Sequence, residues 1–306
     1  MENLTIDFLG IGVQKAGTTW LWSALRSHPD VWMPHKKELH YFDRNCKYPS
    51  WSYLSEKYLY KRLVGKENHN KSFRFMMRED LLNALSSRNW KRIRWMMKYY
   101  LKTYSDSWYL SLFEDGIGQL RGEITPDYSL IELNDIQHIK SLVPKLKIIL
   151  LLRNPIDRCW SQIRFEYTKN RFNGIDNLDS IKEMIDSPKI RKRGEYIRII
   201  DSWRSVFGKE NIFIGFYDQI SSNPNELIQG VFDFLEIEAL SLSQRELSTR
   251  RNVSEKKEIP DEIEFILAER YKDEVYELMS VLDNTYTYNW VKNVDFILSS
   301  KNQGGL

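Results

Sequence analysis

Residues 148–152 are five consecutive apolar side chains, Ile-Ile-Leu-Leu-Leu, and the chain reaches Asn154-Pro155 just after them. A strand points alternate side chains to opposite faces, so an unbroken apolar run needs cover on both sides. A sheet covered on both sides is a parallel sheet with helices on its faces. Residues 146–152 therefore read as a buried parallel strand. A helix follows, with Pro155 at its first position, running to about residue 169. Two further units repeat the plan. Residues 6–13 are β-rich and nearly continuous in apolar character. A turn at 14–17 leads to a helix over 20–27, with Thr18 or Thr19 as its cap and Pro29 as its stop. Residues 212–217 form the third strand, and Asn223-Pro224 opens a helix to about residue 235. The expected class is α/β: three layers, with a central parallel sheet flanked by helices. All 306 residues fit one such domain.

Residues 57–102 break this rhythm. They hold thirteen Lys and Arg against three Asp and Glu, interleaved with Trp90, Trp95, Tyr99 and Tyr100. The spacing over 80–104 is helical, so the stretch reads as part of a helical insertion at about 52–115. Such a segment either packs its aromatics and solvates its charges as a lid, or binds a polyanion. The net charge of the whole chain is only +3, too weak to imply a nucleic-acid partner. Two cysteines make no disulfide framework, and no Cys/His cluster has zinc spacing. Five residues of apolar run span no bilayer, and the N-terminal residues lack the pattern of a signal peptide. The expectation is a soluble, cytoplasmic protein with neither a membrane nor a nucleic-acid partner.

The turn after the first strand carries the chemistry. Gly12-Val13-Gln14-Lys15-Ala16-Gly17-Thr18-Thr19 follows a strand and opens a helix. The first helical N–H groups have no intrahelical acceptor and point outward with the positive end of the helix dipole. An anion fits there; Gly17 lets it approach the backbone, Lys15 adds a full charge and the threonines add donors. The fold class is thus P-loop-like. Gly12 and Gly17 match the spacing of a Walker A loop, but the lysine stands two residues before Gly17 instead of just after it. A kinase or NTPase using ATP and Mg needs its lysine and magnesium-binding hydroxyl at the later positions. That activity is the alternative reading, and a plain glycine turn without ligand is a third.

Arg153 ends the second strand, and Ser161 lies about two turns into the helix after it, so both can converge on one anion. The other option for Arg153 is an ion pair with Asp157. Tyr217 ends the third strand, at the same carboxyl edge of the sheet, where ligands of such sheets bind.

These segments, in this order, resemble the sulfotransferases that use 3′-phosphoadenosine-5′-phosphosulfate (PAPS), in particular the carbohydrate and heparan-sulfate branch and its bacterial relatives. Lys15 to Thr19 look like the 5′-phosphosulfate loop. Arg153-Asn154-Pro155 with Asp157, Arg158 and Ser161 look like the 3′-phosphate segment. Gly122-Glu123-Ile124-Thr125-Pro126-Asp127-Tyr128 is similar to the GExSPxY stretch of carbohydrate-type members. Lys36-Lys37-Glu38-Leu39-His40-Tyr41-Phe42-Asp43 is similar to the KE-x-HFFD stretch of glycosaminoglycan sulfotransferases.

The resemblance implies PAPS as co-substrate, 3′,5′-ADP as product and no metal. It implies a donor site of Lys15, Ala16, Gly17, Thr18, Thr19, Arg153, Ser161 and Tyr217. Arg250 and Arg251 would come from a late basic loop, which otherwise is simply solvated. Lys15 would neutralise the phosphosulfate and the departing 5′-phosphate. By position Glu38 would be the base, with His40 as the alternative because its ordinary pKa is near neutrality. Glu123, Thr125 and Tyr128 would position the acceptor or the lysine, or serve as buried structure. The acceptor would be a hydroxyl or amine of a small molecule or glycan, and the aromatics of the insertion could wall its pocket.

Overall fold

Strands β1 (Phe8–Gly12), β2 (Val31–Trp32), β3 (Leu120–Ile124), β4 (Lys147–Leu152) and β5 (Ile212–Phe216) form a parallel sheet in the order β2-β3-β1-β4-β5. The structure is a computed structural model that describes residues 4–49, 52–170, 178–240 and 258–303. Helix α1 (Thr18–Ser27) leaves β1. Helices α2 (Leu59–Val64), α3 (Asn68–Ser86), α4 (Trp90–Leu101) and α5 (Asp106–Ser111) lie between β2 and β3, and α6 (Leu133–Leu142) between β3 and β4. Among the described residues four α-helices separate β4 from β5: α7 (Pro155–Asn170), α8 (Leu178–Asp186), α9 (Pro188–Lys192) and α10 (Tyr196–Phe207). Helices α11 (Tyr217–Ser222) and α12 (Pro224–Leu235) follow β5, and α13 (Asp261–Leu282) pairs with α14 (Thr285–Gln303) near the end of the chain. Among the described residues no helix is long and apolar enough to cross a membrane.

The apolar run behaves as its composition demands: Ile148 to Leu152 are fully buried, between β1 on one side and β5 on the other. The three strands read from the sequence are β1, β4 and β5. The short β2 and the Arg- and Glu-bearing β3 carry no comparable apolar run, and they complete one edge of the sheet. The third strand stops at Phe216, and Tyr217 opens α11 instead of ending β5. Helix α12 begins as expected, with the Asn223 side chain capping Glu226 N–H.

The expected threonine cap of α1 is replaced by a glycine. Gly17 is the N-cap, at φ +89° and with no side-chain cap bond, and Thr18 and Thr19 are the first helical residues. The left-handed turn brings the chain around without a side chain, which leaves both hydroxyls on the first turn. At the other end of α1, His28 is extended, as a residue before proline is.

The helical pattern over 80–104 is two helices. Ser87 ends α3, Arg88 takes φ +50°, and the Asn89 side chain caps α4 by accepting Arg92 N–H at 3.1 Å. The aromatics of the insertion divide into a packed and an exposed set. Trp95 stacks on Tyr99 at 5.4 Å, and both are buried, as are Tyr100, Tyr104 and Trp108, whereas Trp90 and Tyr60 are exposed. The buried set packs together and does not wall an open pocket.

The topology creates one crevice. The connection leaving β1 goes to β2 at one edge of the sheet, and the connection leaving β4 goes to β5 at the other. Connections that part from neighbouring strands open a gap at their carboxyl ends. The Lys15 turn and Arg153 stand at that gap.

Gly17→Ala tests the turn. A Cβ there would lie 2.2 Å from Ile220 Cδ1, and the positive φ disfavours any side chain. The expected loss is about 2 kcal/mol or more, read as a lower midpoint in denaturant titration; an unchanged midpoint refutes it.

Candidate active site

Lys15 and Arg153 meet across the crevice. Arg153 Nη1 donates to the Lys15 carbonyl at 3.3 Å, and its guanidinium lies 4.3 Å from the centre of the Tyr217 ring. Tyr217 also lies beneath Gly17, so one ring supports both the turn and the arginine. The Arg153 backbone is held from behind, where Tyr196 Oη donates to its carbonyl at 2.8 Å. Asn154 Oδ1 accepts Ile156 N–H at 3.0 Å and so starts α7. Among the described residues Arg153 makes no ion pair with Asp157, and its buried Nε has no hydrogen-bond partner. Ser161 is buried on α7.

The site is electropositive. The Lys15 ammonium lies 4.4 Å above the Phe165 ring. Burial lowers its pKa, and the charges of Arg153 and Arg164 lower it further. Arg164 is held below its usual value by burial and by Arg153. Cations gathered at one place, two of them with depressed protonation, suit a polyanion. Arg164 and Phe165 were not among the residues expected from the sequence. Their spacing of three and four from Ser161 puts them on the same face of α7, which is the signal that could have found them.

Lys15 and His40 share a backbone feature: both are non-glycine residues at positive φ, +73° and +53°. Such strain persists only where the surroundings hold it, and it concentrates at functional sites. His40 stands between two carboxylates. Its Nδ1 donates to Asp43 Oδ2 at 2.7 Å, and its Nε2 lies 3.3 Å from Glu38 Oε2. Burial opposes the imidazolium, but Asp43 and then Glu38 outweigh it, and the pKa stands well above the ordinary histidine value. Glu38 shows the converse. Burial raises its pKa, yet the His40 hydrogen bond and the Lys37 ammonium at 2.7 Å bring it down to about 2. Both residues are therefore ionised at neutral pH.

The loop carrying them is fixed from beneath. Glu123, on β3, is fully buried and accepts from Tyr109 Oη (2.7 Å), Thr125 Oγ1 (2.7 Å), Tyr128 Oη (2.9 Å) and the Leu39 N–H (3.2 Å). Leu39 N–H also reaches Thr125 Oγ1 at 3.0 Å, and Tyr41 N–H donates to Tyr128 Oη at 3.0 Å. Tyr99 Oη donates to the Leu39 carbonyl at 3.2 Å, and Lys36 Nζ pairs with Asp80 at 2.5 Å. Burial pushes the Glu123 carboxyl up to about 7 despite these donors. Glu123, Thr125 and Tyr128 thus touch the loop and one another beneath the surface, with no open face toward an acceptor. Asp43 and Tyr109 complete the arrangement. Asp43 lay within the quoted 36–43 stretch without an assigned part, and nothing in the local sequence singled out Tyr109.

One trio of potential metal ligands comes together among the described residues: His40, Asp43 and Asp127. The first two are bonded to each other, and Asp127 is paired with Arg193 at 2.6 Å, a cation that disfavours a metal at the same oxygens. Arg250 and Arg251 lie outside the described residues. Arg158 turns inward, is fully buried and donates to the Ile190 carbonyl at 3.2 Å.

Comparison with known proteins agrees with this geometry. The Sulfotransferase family matches residues 8–241, more than half of the chain. Carbohydrate sulfotransferase 15 of Rattus norvegicus is 24% identical over 289 residues, covering 81% of this chain and 46% of that protein. The chain thus spans about half the length of the curated relatives it matches. A sulfotransferase from Alicyclobacillus acidocaldarius superposes with a TM-score of 0.65 at 19% identity, covering 94% of this chain and 98% of that one. The sulfotransferase domain from the curacin biosynthetic pathway gives 0.51 at 18% identity, covering 79% and 76%. With a phosphate-type turn at the parting of β1 and β4 and a family match that runs from β1 past α12, the chain belongs to the sulfotransferase family.

Proposed function

We propose that the protein transfers the sulfuryl group of PAPS to a hydroxyl or amine of a carbohydrate or small-molecule acceptor in the cytoplasm, releasing 3′,5′-ADP. The observation that carries this reading is the junction of Lys15 and Arg153, two cations that meet at the sheet crevice and make no ion pair among the described residues. A donor with phosphates at both ends of its ribose satisfies both. The turn amides, Ala16, Gly17, Thr18 and Thr19 cradle the 5′-phosphosulfate. Arg153 and Ser161 hold the 3′-phosphate, with Tyr217 supporting the guanidinium.

Sulfuryl transfer resembles phosphoryl transfer in its in-line, loose transition state. The migrating SO₃ carries less negative charge than a phosphoryl group, so lysine and backbone amides can stabilise the transition state without a divalent metal. Lys15 neutralises charge as it builds on the bridging oxygen and the departing 5′-phosphate. Glu38 takes the acceptor proton. His40 is the proton-bearing partner of Glu38 and Asp43, so its imidazolium positions Glu38 instead of acting as base. Glu123 is a positioning residue that acts through the Leu39 amide. An ATP- and Mg-dependent kinase is the second reading; the early position of Lys15 in the turn disfavours it.

The first test is transfer itself: labelled sulfate moves from PAPS to an acceptor in EDTA, and no transfer occurs from ATP with Mg²⁺. The reverse outcome refutes the reading. Lys15→Ala lowers kcat by about 10²–10³ and changes 3′,5′-ADP affinity far less; equal losses contradict a transition-state role. Arg153→Ala weakens 3′,5′-ADP binding by about 10- to 100-fold and removes the preference over 5′-AMP in calorimetry.

The base is read from pH. Glu38→Gln lowers kcat by about 10²–10⁴. With Glu38 as base, a carboxyl near 2 stays ionised and the rate holds its plateau as pH falls from 8 to 5. With His40 as base, the rate falls across that range, because the free imidazole is lost below its raised pKa. A Glu123→Gln background removes the titration of the buried carboxyl from these profiles.

Glu123 also makes stability depend on pH. Its folded pKa of about 7 lies above that of an exposed carboxyl, so the folded state binds the proton more tightly. The stabilisation is complete below the unfolded value and is lost as pH rises through 7. The wild type should lose stability between pH 5 and 8 relative to Glu123→Gln, measured by denaturant midpoints; parallel curves would contradict this.

A further inference from the structure

Helices α3 and α4 form a hairpin whose tip carries an exposed apolar patch. Trp90 is 80% exposed, Leu85 54% and Leu82 51%. Leu82 and Leu85 are three apart on α3, so they share one face, and Trp90 opens α4 just beyond the turn at Arg88. The turn is well defined, since the Asn89 side chain caps α4. The opposite face of α3 is buried through Phe73 and Ala84, so the exposed leucines are not a misplaced core. An indole and two leucines around one turn, open to water, exceed the scattered single apolar residues of an ordinary surface.

Charge tells what covers them. Arg78, Arg88 and Lys91 are exposed beside these residues and make no ion pair among the described residues. Within residues 57–102 only three acids offset thirteen cations. Of those acids, Asp80 is already held by Lys36. A second copy of the chain would set this cationic face against its like. A soluble anionic polymer offers charge but no apolar phase for the indole and leucines. An anionic lipid surface offers both, with phosphates for the cations and the headgroup boundary for the amphipathic tryptophan.

We propose that the α3–α4 tip, Leu82, Leu85 and Trp90 ringed by Arg78, Arg88 and Lys91, is a peripheral docking surface for anionic lipid bilayers. The attachment is interfacial and needs no membrane-spanning segment. It lies near the site: Leu85 is about 7.5 Å along the helix from Asp80, and Asp80 holds Lys36 at the start of the acceptor loop. Docking there sets that loop close to the lipid surface, where a lipid-borne acceptor would be presented.

Flotation with phosphatidylglycerol–phosphatidylcholine vesicles, against phosphatidylcholine alone, tests the proposal. Binding needs neither donor nor turnover, so its outcome is separate from that of the transfer assay. The full chain should float with the anionic vesicles and not with the neutral ones. The triple variant Arg78→Glu, Arg88→Glu, Lys91→Glu should lose about a hundredfold in partition. The triple variant Leu82→Ser, Leu85→Ser, Trp90→Ala should lose about tenfold or more. All six side chains are exposed, so thermal midpoints should match the wild type and report any folding defect. Absent flotation, or flotation unchanged in both variants, overturns the proposal. So does capture on heparin without vesicle binding, which would assign the face to an anionic polysaccharide. A dimer in sedimentation that the apolar variant dissolves would assign it to a second copy and overturn it equally.

Discussion

The hydrogen bond from Arg153 to the Lys15 carbonyl joins two turns that leave neighbouring strands in opposite directions. Without it the β1 and β4 turns would be separate features of one sheet edge. With it they form one cationic crevice, backed by the Tyr217 ring under both. Its geometry follows from the parallel pairing of β1 with β4, where Val13 N–H donates to the Leu151 carbonyl at 2.8 Å just before the chains part. Burial and the nearby Arg153 charge lower the pKa of Lys15, so the crevice favours an anion that would relieve that cost.

A second layer holds the 36–43 loop. The segment bearing Glu38 and His40 has no regular structure, and its position is set by bonds from Leu39 and Tyr41 to a buried carboxylate, two tyrosines and a threonine. Glu123 sits in β3 beside Leu9 of β1, so the strand that leads into the Lys15 turn also supports this network. The Lys15 turn and the 36–43 loop are thereby referenced to the same sheet, the kind of positional precision that group transfer needs.

The insertion serves both inside and outside. Its inner aromatics, Trp95, Tyr99, Tyr100 and Trp108, are buried; Tyr99 bonds the Leu39 carbonyl of the 36–43 loop, and Tyr100 bonds Asp80, which holds Lys36. Arg62 is buried among them, with its guanidinium 3.8 Å from the Tyr104 ring and bonded to the Tyr100 and Lys102 carbonyls. The outer face keeps most of the cations. One stretch of sequence with mixed aromatic and basic character thus splits by helical periodicity into a packed side and a charged side.

Local signals made much of this legible. The apolar run of β4 and the strand–turn–helix patterns around Gly17 and Pro155 announced a parallel sheet, because side-chain alternation and proline geometry act within a few residues. Lys15, Arg153 and Ser161 could be placed for the same reason: the turn after β1, the end of β4 and the second turn of α7 follow from local patterns. Glu38 and His40 were readable as residue types, but not their charge states, which depend on Lys37, on Asp43 and on how deeply the loop is set. Strand β3 escaped notice because its Arg121 and Glu123 break the apolar pattern, and the buried Glu123 carboxyl takes donors from distant Leu39 and from Tyr109 of α5 as well as from nearby Thr125 and Tyr128. Sequence alone settled that the segments of β1, β4 and β5 become parallel strands and that a glycine turn joins β1 to α1, since those depend on neighbours along the chain. The folded chain alone decided that Glu123 lies under the 36–43 loop and that Arg164 comes near Lys15, since burial and charge proximity arise between residues far apart in sequence.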